Sequence, residues 1–178
     1  ANDAGKAEYV DALKKEIQRH REIALSYQVS SVFVGGGTPS ILSYEQMEEI
    51  FQMLRQVFTI DTDAEITIEA NPGTVTEEKL EGWKRAGINR ISFGLQSVNN
   101  EELNMLGRIH TYEAFRESYD MARRAGFDNI NVDLLCPLIH LPLCIFIRKR
   151  RMFLSIRLPV SIPLIKPGSF LNDQTVCR

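Results

Sequence analysis

The chain has 178 residues, 44% apolar and 25% charged, which is enough for one soluble domain with a hydrophobic core. A formal net charge of -2 argues against general nucleic-acid binding, and no apolar run reaches the length of a membrane span. That average hides a break, because residues 1–136 carry 14 basic and 22 acidic side chains while residues 137–178 carry 7 and 1.

The chain begins at Ala1, with no basic and apolar leader after it, as expected of a mature cytoplasmic chain or of a piece of a longer one. Tyr9, Leu13, Ile17, Ala24 and Tyr27 recur at helical spacing and predict one amphipathic surface helix over 6–27. His20 lies on or near that stripe and reads as a packing or surface residue. Val32, Phe33 and Val34 then predict a buried strand, apolar at successive positions as parallel strands are. The strand runs into Gly35, Gly36 and Gly37, followed by Thr38, Pro39 and Ser40. Three glycines remove every Cβ where the strand ends, so a ligand can approach bare backbone N–H groups. A carboxylate, an amino-acid moiety or a phosphate suits such a turn; the plain alternative is a strand-to-helix connection.

Ser43 to Gln46 has the pattern of a capping box, and Met47, Ile50, Phe51 and Leu54 continue it as a helix. Residues 65–70 alternate into a second strand that stops at Pro72-Gly73. Thr74 or Thr76 opens a short helix through Leu80 and Trp83, ended by Gly87. Residues 88–96 form the third strand. Ser97 or Asn99 caps a short helix closed near Gly107, and Thr111 opens another that closes at Gly126. Residues 129–135 are the fourth strand. Arg85-Ala86-Gly87-Ile88 and Arg124-Ala125-Gly126-Phe127 form a weak repeat of helix end, glycine stop and strand start. Four strands alternating with helices predict an α/β fold with parallel strands, either part of a β/α barrel or a doubly wound sheet.

The polar residues at the strand ends point to a ligand. Glu69 closes the second strand, Gln96 closes the third, and Asp133 sits late in the fourth. In α/β folds that edge of the sheet carries the binding site. A carboxylate there can accept two hydrogen bonds from vicinal ribose hydroxyls, and Arg108 can hold a carboxylate bidentately.

Gly-Gly-Gly-Thr-Pro-Ser (35–40), Ile-Glu-Ala-Asn-Pro-Gly (68–73), Phe-Gly-Leu-Gln-Ser (93–97), Leu-Gly-Arg-Ile-His (106–110) and Asn-Val-Asp-Leu (131–134) follow one another in order. Over residues 6–135 this set resembles the radical S-adenosylmethionine proteins of the oxygen-independent coproporphyrinogen III oxidase type, and most closely their heme chaperone branch. The resemblance implies a partial parallel (β/α) barrel over 1–135, truncated at both ends. It also implies a role in porphyrin biosynthesis or heme delivery, with S-adenosylmethionine, a [4Fe–4S] cluster, and heme or coproporphyrinogen III as tetrapyrrole partner. By resemblance, Gly35, Gly36, Gly37 and Thr38 contact the methionyl end of S-adenosylmethionine, Glu69 and Asp133 its ribose, and Gln96 and Arg108 its other polar groups, Arg108 toward the carboxylate.

Two departures qualify the resemblance. The family's Cys-x3-Cys-x2-Cys lies upstream of the first helix, before the point where this chain begins, and without such thiolates no cluster is held. Cys136, Cys144 and Cys177 have the wrong spacing to replace it and fit neither a disulfide framework nor a zinc pattern. His110 and His140 have no partners at ligand spacing, so no metal residue and no catalytic residue is assigned. After Leu135 the expected Gly-Leu-Pro segment is missing. Residues 136–178 form a basic, proline-containing tail that reads as frame-shifted or disordered sequence rather than a membrane or nucleic-acid arm. The chain alone is expected to perform neither decarboxylation nor heme transfer. The alternative reading is an α/β module that binds a nucleotide or anion without redox chemistry.

Overall fold

Apolar residues at every second position of the central strands give the sheet one greasy face and one polar face, and the helices cover the greasy one. The computed structural model describes residues 3–136, 141–148 and 151–156. Its elements are α1 (Asp3–Arg19), α2 (Arg21–Ala24), β1 (Gln28–Val34), a 3-10 turn (Pro39–Ile41), α3 (Tyr44–Val57), β2 (Thr59–Ala70) and α4 (Glu77–Arg85). There follow β3 (Arg90–Gln96), α5 (Asn100–Met105), α6 (Tyr112–Arg124), β4 (Asn129–Cys136), β5 (Leu141–Arg148) and β6 (Arg151–Ile156). The strands lie in sequence order in one sheet. β1 to β4 pair in parallel, each joined to the next through helix, and β5 and β6 add on in antiparallel fashion. This is the expected α/β architecture, with a parallel (β/α) unit at its centre.

Register aligns the faces. Val34, Ile68 and Ile91 are in line across β1, β2 and β3, and Ile91 pairs with Ile130 of β4. They pack against Met47, Ile50 and Phe51 of α3, Leu80 and Trp83 of α4, and Phe115 and Ala122 of α6. Burying side chains of this size contributes roughly 1.5–3 kcal/mol each. On the other face Phe33, Thr67, Arg90 and Asn129 are in line, as are Glu69, Ser92 and Asn131. That face is almost wholly polar. Among the described residues no helix is long and apolar enough to cross a membrane.

Local chemistry closes each helix. Ser43 and Gln46 form the complete capping box of α3, and Thr76, Asn99 and Thr111 accept backbone N–H groups at the starts of α4, α5 and α6. The weak repeat is one C-terminal motif used twice. Ile88 N–H donates to Trp83 O and Gly87 N–H to Lys84 O; Phe127 N–H donates to Ala122 O and Gly126 N–H to Arg123 O. These are the paired bonds of a Schellman ending, each with a buried apolar residue after its glycine. The end of α5 repeats the bonds, Arg108 N–H to Leu103 O and Gly107 N–H to Asn104 O, but sets an arginine in that place.

Several expectations are corrected. The first helix breaks at His20 into α1 and α2, and its buried face is Val10, Ile17 and Ala24, while Tyr9 and Tyr27 are exposed. β1 is not a buried strand: Phe33 is 61% exposed and Val32 and Val34 are half-buried. Among the described residues it pairs on one side only, with β2, and Phe33 lies on the polar face, where none of the described helices lies over it. β2 begins at Thr59 rather than residue 65, because Thr59 and Ile60 pair with Gln28 and Val29. Apart from these corrections, β5 and β6 lie within the tail segment, β5 paired to β4 and β6 to β5. Residues 157–178, with Cys177, lie outside the described residues.

Gly82 marks the tightest helix contact. A Cβ there would stand 2.6 Å from Tyr44 Cβ, an atom fixed to the α3 backbone. Gly82→Ala should therefore lower the unfolding free energy by about 1–2 kcal/mol, although alanine favours a helix over glycine by about 1 kcal/mol. Urea unfolding of the two proteins measures this; a stabilised variant would show that α3 and α4 can separate freely.

Candidate functional site

Each glycine of the loop after β1 answers a different constraint. A Cβ on Gly35 would collide with the Phe33 ring and stand 2.9 Å from Glu69 Cδ. Gly36 has φ +86° and donates its N–H to Glu69 Oε2 at 3.2 Å. A Cβ at Gly37 would meet nothing within 4 Å, so that position faces open space. The carboxylate at the end of β2 thus lies against bare backbone at the end of β1.

Hydroxyls and one lysine clamp this loop to the turn after β2. Asn71 Nδ2 donates to Thr38 Oγ1 and Asn71 N–H to the buried Ser40 Oγ, both at 3.2 Å. Thr74 Oγ1 pairs with Ser40 Oγ at 2.6 Å, and Thr74 therefore ties the turn rather than capping α4. Lys79 Nζ donates to Ser40 O at 2.6 Å and to Thr74 O at 3.1 Å. Desolvation by this partial burial, with Lys6 nearby as a second positive charge, lowers the Lys79 pKa from its ordinary value. The same turn is held from α6, where Ser118 Oγ accepts Gly73 N–H at 3.0 Å. Thr-Pro-Ser and Asn-Pro-Gly-Thr are two halves of one clamp.

The structure brings Gly37, Thr38, Glu69, Gln96, Arg108 and Asp133 to the wall of one cavity of about 180 Å³, at the C-terminal ends of the parallel strands. Gly35 and Gly36 do not line it; with Gly37 and Thr38 they border a neighbouring, mostly apolar cavity of about 390 Å³ against α1. Whole small-molecule sites are commonly about 300–1,000 Å³, so the polar cavity fits one end of such a ligand. Its charged groups are two carboxylates and one guanidinium, from three different elements or loops.

Sequence reading missed the residues beneath them. Asn71, Ser92 and Gly94 also line the cavity. Ser92 Oγ donates to Asp133 Oδ2 at 3.2 Å, and Asn131 Nδ2 donates to Asp133 Oδ1 at 2.9 Å and to Ser92 Oγ at 2.8 Å. Both carboxylate oxygens therefore arrive oriented. One row deeper, Arg90 Nη1 donates to Glu65 Oε1 and Thr67 Oγ1, both at 3.3 Å. The signal was present as polar residues at alternate positions, 90, 92 and 96 in β3, with Gly94 between the last two, and 129, 131 and 133 in β4. His110, for which no metal role was assigned, is buried with Nε2 3.2 Å from Leu95 O. Among the described residues no three His, Cys, Asp or Glu side chains are grouped to hold a metal ion.

Gln96 alone among the described non-glycine residues has a positive φ, +72°. Such a conformation costs roughly 1–3 kcal/mol, against the smaller entropic penalty of glycine. Gln96→Gly should raise the unfolding free energy by about 1 kcal/mol, read by denaturant titration; a loss would mean that the side chain contributes more to folding than its backbone costs. Burial depresses the His110 pKa below its usual 6.5, with Arg108 adding to the effect and the Leu95 hydrogen bond opposing it. The unfolded chain then binds a proton that the folded chain resists. Stability contributed by the neutral ring is complete above pH 6.5 and is lost as pH falls through the lower folded value. Unfolding titrations across that window should show His110→Gln losing less stability on acidification than the parent; parallel profiles would refute the assignment.

The heme chaperone HemW of Escherichia coli (strain K12) is 39% identical over 128 residues, 72% of this chain and 34% of that protein. The heme chaperone HemW of Haemophilus influenzae (strain ATCC 51907 / DSM 11121 / KW20 / Rd) is 37% identical over 123 residues, 69% and 32% of the two lengths. The solved coproporphyrinogen III oxidase HemN from Escherichia coli, described as a radical SAM enzyme, superposes with a TM-score of 0.68. That likeness has 33% identity and covers 73% of this chain and 30% of HemN. The chain thus spans about a third of the length of the curated relatives it matches. The model of the radical SAM superfamily matches residues 2–142, and on that breadth the chain belongs to this superfamily.

Proposed function

We propose that residues 3–135 form the S-adenosylmethionine-binding part of a cytoplasmic heme chaperone-like or oxygen-independent coproporphyrinogen III oxidase-like protein, with heme or a coproporphyrinogen as the tetrapyrrole partner of the intact protein. One observation carries the reading: Glu69, Asp133 and Arg108 converge with the open backbone of Gly37 on one polar cavity. The charge set complements the ligand. S-adenosylmethionine carries a carboxylate, an ammonium and a sulfonium, one negative and two positive groups against the cavity's two negative and one positive.

The roles follow from chemistry. Arg108 holds the amino-acid carboxylate through paired N–H donors. Glu69, already steadied by Gly36 N–H, accepts from the ligand's donors, and Asp133, fixed by Ser92 and Asn131, faces hydroxyls. Gln96 supplies a neutral amide able to donate and accept. The resident family cofactors are S-adenosylmethionine and an iron–sulfur cluster, which together supply a carbon-centred radical. The residues described here fit the first. For the second, the described residues present no thiolate set.

Equilibrium dialysis with labelled S-adenosylmethionine tests the reading on the full 178-residue chain. The parent should bind it more tightly than free methionine. Arg108→Met should weaken binding roughly 10- to 100-fold, the worth of a charge-assisted hydrogen-bond pair. Gly35→Ala should weaken it at least about tenfold by displacing Glu69. No binding by the parent, or equal affinity for methionine, would overturn the proposal.

A further inference from the structure

The end of β3 contains a device that neither the cavity's charges nor the fold requires. Parallel pairing with β4 holds as far as Phe93 and Val132, then shifts before resuming at Gln96 and Leu134. In that gap Ser97 N–H donates to Leu95 O at 3.0 Å, closing a three-residue turn around Gln96. With φ +72° at its centre, this is the rare, strained form of the γ-turn. Something must hold it. Ser97 is fixed on one side, where its Oγ bonds the Glu102 carboxylate and accepts Asn99 N–H. The other side is fixed by a ring 15 residues away: His110, 7% exposed, meets the same Leu95 carbonyl at 3.2 Å through Nε2. A carbonyl oxygen has two lone pairs, and at Leu95 the turn and the histidine take one each. Since the partner is an acceptor, Nε2 carries the hydrogen.

We propose that His110 is a positioning residue for Gln96, locking the strained turn at Leu95–Ser97 by its Nε2–H bond to Leu95 O and so aiming the Gln96 amide into the cavity. The side chain is indeed folded back over the sheet edge: a Cβ on Gly94 would stand 3.2 Å from Gln96 Nε2 and 3.5 Å from Asn71 Oδ1. The same bond anchors the loop that bears Arg108, two residues before the ring. One buried hydrogen bond therefore sets two of the cavity's polar groups, while Ile109 between them is 96% exposed and contributes no packing.

The test compares His110→Leu, which keeps apolar volume without a donor, with His110→Gln, which restores an N–H. Amide hydrogen exchange at Ser97 in the free 178-residue chain reads the turn directly. It should be at least tenfold faster in His110→Leu and return toward the parental rate in His110→Gln. Unchanged exchange in His110→Leu, or equally fast exchange in both variants, overturns the proposal. Should His110→Leu fail to fold, parental protection of Ser97 in His110→Gln supports it and lost protection overturns it. A second arm rests on the S-adenosylmethionine reading. His110→Leu should weaken binding roughly tenfold, and that loss should shrink in a Gln96→Ala background; equal losses in both backgrounds overturn the coupling. If the parent chain does not bind S-adenosylmethionine, that reading fails while Ser97 exchange still decides the role of His110.

Discussion

The approach of Glu69 to the backbone of Gly35 and Gly36 is the constraint around which the site is arranged. A carboxyl side chain from β2 rests where a side chain just after β1 would otherwise stand, 2.9 Å from the place of a Gly35 Cβ. Only bare backbone permits that distance, and only a positive φ at the next residue turns an N–H toward the carboxylate. The clamp of Thr38, Ser40, Asn71, Thr74 and Lys79 then becomes intelligible. It holds together two loops whose closeness is set by a charge against a peptide group rather than by apolar packing.

The polar face of the sheet is layered behind that contact. Glu65, Thr67 and Arg90 form a deeper row, and Ser92, Asn131 and Asp133 the row above it. Charged-group bonds of this kind gain strength away from water, yet each leaves a costly orphan if one partner is lost. Orientation is thereby settled before a ligand arrives, which reduces what binding must spend on ordering side chains.

What was legible in the sequence was local or periodic. The capping box, the glycine stops and the Pro-Gly turn declare themselves within a few residues, because their hydrogen bonds close over at most five. Glu69, Gln96 and Asp133 could be placed at strand ends because each follows an apolar stretch of the right length. The burial of Phe33 could not be read, since it depends on which face lacks a helix and on β1 pairing on one side only. The early start of β2 depends on Gln28 and Val29, far back in the chain, and β5 depends on the edge of β4. Ser92 and Asn131 escaped for a subtler reason. Ser92 holds Asp133 from the neighbouring strand and Asn131 holds it from two positions back on its own, and the alternation that exposes them gains meaning only once the faces are assigned.

The division of the sheet into a helix-covered face and a polar face also governs how the chain responds to heat. Heat-capacity change on unfolding rises with newly hydrated apolar area and falls with newly hydrated polar area. Here apolar burial is concentrated on one side, against α1, α3, α4 and α6, while the opposite side contributes carboxylates, amides and hydroxyls. A fold so divided has a flatter dependence of stability on temperature than a two-sided core of equal length. The polar side holds its geometry by hydrogen bonds whose strength does not wane on cooling as apolar association does.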